Sequence, residues 1–106
     1  MKSYTDIEVS ELSNTLVKNN VLLVDVRNDD EVARGVIDGA IHVKLSLLPL
    51  EYAKLTSADA VVFYCHSGVR SAHAADFAAS KNIKSINLAG GVVAWVKAGY
   101  SLNPNS

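Results

Sequence analysis

Two short apolar runs constrain this chain more than any other feature. Residues 21–26 (VLLVDV) and Ala60–Tyr64 (AVVFY) are rich in β-branched residues and show almost no polar alternation. A half-solvated strand alternates, so an unbroken run predicts a strand covered on both faces, the mark of a parallel sheet. Weaker strand signals lie at residues 40–43 and Ser85–Leu88, with a further short one near residues 6–9.

Helical stretches separate these strands. Ser10 is the expected N-cap of a first helix with Leu12, Leu16 and Val17 on one face, ended by Asn19 and Asn20. Asn28 is expected to cap a short helix whose first turn holds Asp29, Asp30 and Glu31, charges suited to the positive end of the dipole. Gly35 closes it. Residues 47–55 read as a third helix. Residues 71–81 read as an alanine-rich helix able to lie close on a sheet, and residues 92–98 as a last one carrying Trp95, with Gly99 beyond it. Strands alternating with helices predict an α/β fold. Its central sheet is mainly parallel, of four to five strands, with helices on both faces and right-handed crossovers.

The 106 residues suit one domain, with a core from about residue 5 to 102. The apolar share of 49% is enough for a core. A formal net charge of -1 speaks against a nucleic-acid surface, and no apolar stretch is long enough to span a membrane. The first ten residues lack a signal-peptide core, so the expected location is the cytoplasm. Cys65 is the only cysteine, so no internal disulfide can form. His42, His66 and His73 show no metal-ligand spacing.

A lone cysteine is usually a small buried hydrophobe. Cys65 differs in its setting. It follows a buried strand directly, and binding crevices in such sheets lie beyond the carboxyl ends of strands. Residues 65–70 read C-H-S-G-V-R, ahead of a helix expected from about Ser71. Gly68 permits a tight turn that points successive N–H groups inward, and the helix end adds positive potential. Arg70 adds a cation. These neighbours favour the thiolate, the reactive form of cysteine. Without that setting, the same residues would read as a chance glycine turn with a solvated arginine.

From about residue 5 to 102 the chain resembles a rhodanese-like sulfurtransferase domain. Cys65, Gly68, Arg70 and Ser71 match the family's active loop. Asp25-Val26-Arg27 matches its D-V-R, and Glu31 the acidic residue that follows. Residues 35–40 (GVIDGA) match G-H-I-P-G-A in part, and residues 87–95 (NLAGGVVAW) resemble its L-x-G-G-x-x-x-W. The resemblance implies a three-layer fold and a sulfurtransferase in which Cys65 takes sulfane sulfur from thiosulfate or a protein persulfide. A persulfide carries it to cyanide or a thiol. The backbone of His66, Ser67, Gly68, Val69 and Arg70 would cradle the anion, and Arg70 would pair with thiosulfate. No metal or organic cofactor is implied. Val36 and Asp38 replace the family's usual His and Pro, a change expected to touch packing and loop stiffness more than chemistry. His66 stands where many thiosulfate-type loops carry Arg or Lys.

Asp25 and Arg27 lie close enough to support the site, but a structural role is expected. Asp25 would bond the backbone at the strand end, and Arg27 would pair with Glu31. His42 and His73 read as surface or packed histidines, Trp95 with Val92 and Val96 as core, and Gly90-Gly91 as a turn needing positive φ. Two other functions compete. Related phosphatases and arsenate reductases place five residues between Cys and Arg, whereas four, residues 66–69, stand here. The second is a carrier or sensor module that docks on a partner protein.

Overall fold

The computed structural model describes residues 3–18 and 20–104. Five strands form one parallel sheet: β1 (Thr5–Ile7), β2 (Val21–Asp25), β3 (Ile41–His42), β4 (Ala60–Tyr64) and β5 (Ser85–Leu88). Their spatial order is β1-β5-β4-β2-β3. β4 is central, pairing Val21 with Ala60 through Asp25 with Tyr64 on one side and Val61 with Ser85 through Phe63 with Asn87 on the other. Every residue of β4 is buried, as its unbroken apolar run predicts.

Strand alternation divides the core between two faces. Val24, Val61, Phe63 and Cys65 pack with Leu48, Leu55 and α4 (Val69–Ser80). Leu23, Val62, Tyr64 and Leu88 pack with Val9 and Leu12 of α1 (Val9–Leu16) and Val92 of α5 (Gly91–Lys97). The result is three layers with helices on both faces, as expected. Ala74, Ala75 and Ala78 are wholly buried and let α4 lie close to the sheet.

Several local expectations need correction. The first helix is capped by Glu8, not Ser10. Glu8 is extended and forms a reciprocal capping box with Glu11, so the helix begins two residues earlier than expected, and Val9 in its first turn is buried. Val17 is 79% exposed and off the apolar face. Asn19 lies outside the described residues, and Asn20 has φ +62°. Residues 47–55 are not one helix but α3 (Leu48–Glu51) between 3-10 turns at Leu45–Leu47 and Tyr52–Leu55. Pro49 lies in the first turn of α3, where a missing N–H is tolerated, and cannot supply a bond that would merge α3 with the preceding 3-10 turn. Asn28 does cap α2 (Asp29–Val32), with Glu31 bonding back to its N–H. Among the described residues, no helix is long and apolar enough to cross a membrane.

Candidate functional site

Cys65 leaves the carboxyl end of β4 and is almost wholly buried. The chain then turns at Gly68, whose φ of +102° makes it the left-handed N-cap of α4. That helix begins at Val69, two residues before the expected start. Arg70 and Ser71 therefore belong to its first turn rather than to a loop. The reason is that glycine breaks a helix in mid-run but can start one in this conformation.

The turn delivers donors to the sulfur. Gly68 N–H points at Sγ from 3.1 Å. Ser71 N–H, one of the helix-end donors that lack a carbonyl partner, lies 3.4 Å away, and the Ser71 hydroxyl oxygen also 3.4 Å. Burial pushes the thiol pKa up. Bonds from the Ser71 hydroxyl, Ser71 N–H, Gly68 N–H and Ser67 N–H pull it down, and the balance falls below the ordinary value.

The last helix determines which way this turn faces. Val92 N–H donates to Cys65 O at 2.9 Å and Val93 N–H to His66 O at 3.0 Å. With these carbonyls drawn toward α5, the turn's N–H groups face the sulfur. Gly90 and Gly91, at φ +78° and +53°, make that approach possible. A Cβ on Gly91 would overlap the Cys65 carbonyl oxygen and come within 2.7 Å of His66 O. Val92 is buried as expected, but Trp95 is only half-buried and stacked on Tyr100, and Val96 is 52% exposed.

The charged residues pair differently from expectation. Arg27 does not meet Glu31. It lies in the turn before α2, 4% exposed, with Nη2 2.7 Å from Asp25 Oδ2 and 2.6 Å from Gly35 O. Asp25 also accepts the Arg27 backbone N–H at 2.9 Å, the backbone role expected of it. Glu31 instead meets Arg70, through Nη1–Oε1 at 2.7 Å and Nη2–Oε2 at 2.8 Å. The Arg70 bonds hold Glu31 at a pKa of about 2 despite partial burial, with help from Asn28 N–H. The same pair raises Arg70, and the Cys65 charge adds to that rise, so the guanidinium lies within electrostatic reach of the thiol.

His66 and Ser67 are exposed at the mouth, and Val69 is 63% exposed. A cleft of about 300 Å³ opens beside them, lined by Arg27, Glu31, Arg34, His66, Val92 and Leu102. His42 Nε2 donates to the Arg27 carbonyl at 2.7 Å and is a packing residue, and His73 is exposed. Val36 is buried and exchanges two backbone bonds with Asn103, while Asp38 is exposed. Among the described residues, no group of three His, Cys, Asp or Glu side chains could hold a metal ion.

Asn87 was not singled out from the sequence. It sits on β5, buried, with Oδ1 2.6 Å from the Ser71 hydroxyl and Nδ2 3.4 Å from Gly68 O. A signal existed, because an amide inside a strand buried on both faces must find partners.

A lone thiol at the end of a central parallel strand, held by the N–H groups of a tight turn, defines a class of α/β domains built around one cradled cysteine. Within that class, a model of the rhodanese-like domain matches residues 8–98, and the chain belongs to that family. It is 34% identical over 99 residues to a protein named sulfurtransferase from Allochromatium vinosum, covering 92% of each chain. It is 33% identical over 95 residues to YtwF of Bacillus subtilis, which carries the name of a candidate sulfurtransferase, covering 84% of this chain and 92% of that one. A rhodanese-like domain protein from Staphylococcus aureus superposes with a TM-score of 0.84 at 31% identity, over 96% of this chain and 99% of the other.

Proposed function

We propose that this protein is a sulfurtransferase in which Cys65 carries sulfane sulfur as a persulfide. The carrying observation is the sulfur itself, met by N–H groups from Gly68 and Ser71 at the start of α4. Dipoles aimed at one point favour an anion there, on Sγ first and on the outer sulfur of a persulfide afterwards. The Cys65 thiolate attacks the sulfane sulfur of the donor. With thiosulfate, the S–S bond breaks, sulfite leaves with the electron pair, and the persulfide remains. A thiol or cyanide acceptor then attacks the outer sulfur, and Cys65 departs as thiolate. The sulfur stays covalently held throughout, so this chemistry calls for no metal or organic cofactor. A thiolate turned over by free thiols suits the reducing cytoplasm.

A protein persulfide is favoured as donor over thiosulfate by one observation. Arg70, in the first turn of α4, already has its Nη1–Nη2 edge on Glu31 and so has fewer N–H donors left for a sulfonate. The test is mass spectrometry of the intact protein after exposure to thiosulfate or to a persulfidated protein. Gain of one sulfur atom at Cys65 is expected from the second at least as readily as from the first. No gain from either donor would overturn the reading. With only four residues between Cys65 and Arg70, turnover of aryl phosphates is expected to be absent.

A further inference from the structure

The Ser71 hydroxyl has one proton and two acceptors. Its oxygen lies 2.6 Å from Asn87 Oδ1 and 3.4 Å from Cys65 Sγ. The Asn87 amide cannot turn over to resolve the conflict. Its Nδ2 donates to Asp6 Oδ1 at 3.1 Å and reaches Gly68 O at 3.4 Å. A flipped amide would set its oxygen against a carboxylate and a carbonyl, with no donor between them. Oδ1 therefore always faces Ser71. Asn87 is 5% exposed and Ser71 not at all, so water does not readily replace a missing donor.

We propose that Asn87 is a positioning residue that competes with Cys65 for the Ser71 proton, so that the hydroxyl turns to the sulfur only while Sγ carries negative charge. This deepens the sulfur-transfer reading and rests on it.

The cycle follows from counting donors. With Cys65 as a thiol, S–H donates to Ser71 Oγ and the Ser71 hydroxyl donates to Asn87. In the thiolate, the hydroxyl turns to Sγ and leaves Asn87 Oδ1 buried without a donor, an unfavourable state. In the persulfide the charge sits on the outer sulfur, within the N–H cradle, and the hydroxyl returns to Asn87. When an acceptor thiolate attacks that outer sulfur, a new S–S bond forms and the Cys65 S–S bond breaks. Its electron pair returns to Sγ, no net oxidation occurs, and the hydroxyl turns back to meet the new charge. Asn87 thus opposes ionisation of the resting thiol, and losing it should make Cys65 more acidic. A residue that merely braced the loop would have the opposite effect, because a loosened cradle stabilises the thiolate less.

Other charged or titratable groups lie on the elements packed around the thiol, and the test must hold them constant. They are Arg70 on α4 with its partner Glu31 from α2, His66 in the turn, the Asp25–Arg27 pair beyond β2, and Asp6 on β1, reached through Asn87. Asn87→Leu keeps all of these residues but removes the amide with its bonds to Ser71, Asp6 and Gly68, which is why the Ser71→Ala background is needed.

The experiment is the pH profile of Cys65 alkylation by iodoacetamide, which needs no sulfur transfer. It compares wild type, Asn87→Leu, Ser71→Ala and the double variant, with circular dichroism to check the fold. The midpoint should fall by about one pH unit in Asn87→Leu. It should be the same in Ser71→Ala with and without Asn87→Leu, because the competition needs the hydroxyl. A midpoint that rises or stays put in Asn87→Leu overturns the proposal. So does an equal fall in the Ser71→Ala background, which would assign the effect to Asp6 or to packing. Should Asn87→Leu fail to fold, Asn87→Ala is read by the same criteria. Persulfide formation followed by mass spectrometry tests the sulfur-transfer reading separately, so the two failures are distinguishable.

Discussion

Two neighbouring parallel strands, β2 and β4, each end in a buried polar cluster, and the clusters behave differently. At the end of β2, the Asp25 carboxylate meets the Arg27 guanidinium at 2.7 Å and its backbone N–H at 2.9 Å. Arg27 also bonds Gly35 O, which ties the strand end to the turn after α2. Tyr64 accepts from Ile37 N–H beside them, and burial, with the nearby Asp25 charge, keeps its phenol protonated. Charge is cancelled within that cluster. At the end of β4, Sγ meets N–H and O–H dipoles, and Arg70, which also feels the Cys65 charge, is paired with Glu31. Dipoles stabilise an anion without neutralising it. The first arrangement locks a corner of the fold, and the second leaves a charge able to react.

The largest expected effects separate these roles. Cys65→Ser should abolish sulfur transfer while leaving the fold intact, since a hydroxyl fits the turn but cannot store sulfur. Thiocyanate formation from thiosulfate and cyanide, or persulfide transfer where the donor is a protein, measures it beside circular dichroism. Substantial turnover by the folded variant would sink the mechanism. Asp25→Ala should do the reverse. It leaves Arg27 buried and unpaired, which costs about 3–5 kcal/mol of stability. Urea denaturation reads this loss, and a cost under about 1 kcal/mol would show that the corner is not the lock described.

The contrast between the clusters was only half legible in the sequence. β4 coincides with its expected run because a strand buried on both faces announces itself by unbroken apolar character, whereas β5 (SINL), equally buried, carries two polar residues and gave only a weaker signal at the same bounds. The cysteine, the glycine turn and the capping role of Asn28 are local features and were equally readable. Partners distant along the chain were not. Arg27 was expected to pair with Glu31, four residues further along the chain. Arg27 precedes the helix, however, and folds back to Asp25, while Glu31 reaches Arg70, 39 residues away. Asn87 was absorbed into a glycine motif, although its contact with Ser71 depends on how β5 lies beside α4.

Arg70 offers a smaller and sharper test of the second cluster. Arg70→Ala should lower kcat/KM for thiosulfate by about tenfold, the value of one charge-assisted bond. The alkylation midpoint of Cys65 should rise as well, since a cation near the thiolate is lost. Rates compared at equal thiolate fraction separate the two effects. If both quantities are unchanged, Arg70 serves only Glu31 and thiosulfate is not a direct donor.

The smallest expected effect concerns Glu31 and acid. Its pKa is held at about 2, against an ordinary value of 4.5, chiefly by the Arg70 bonds. A depressed carboxylate contributes stability that is fully present above about pH 4.5 and is lost as pH falls toward about 2. Within that window the unfolded chain binds a proton that the native protein does not, so acid favours unfolding. Glu31→Gln removes this dependence. The stability difference between wild type and variant, from urea denaturation, should therefore be widest near neutral pH and shrink as pH drops from 4.5 toward 2. Asp29 is also lowered, first by its bond to Lys44, but that carboxylate is 74% exposed. Glu31 is 20% exposed. Added salt should accordingly weaken the Asp29–Lys44 pair more than the Glu31–Arg70 pair. A stability difference that stays constant across the acid range would mean that Glu31 keeps its ordinary pKa and that its pair with Arg70 adds nothing to stability.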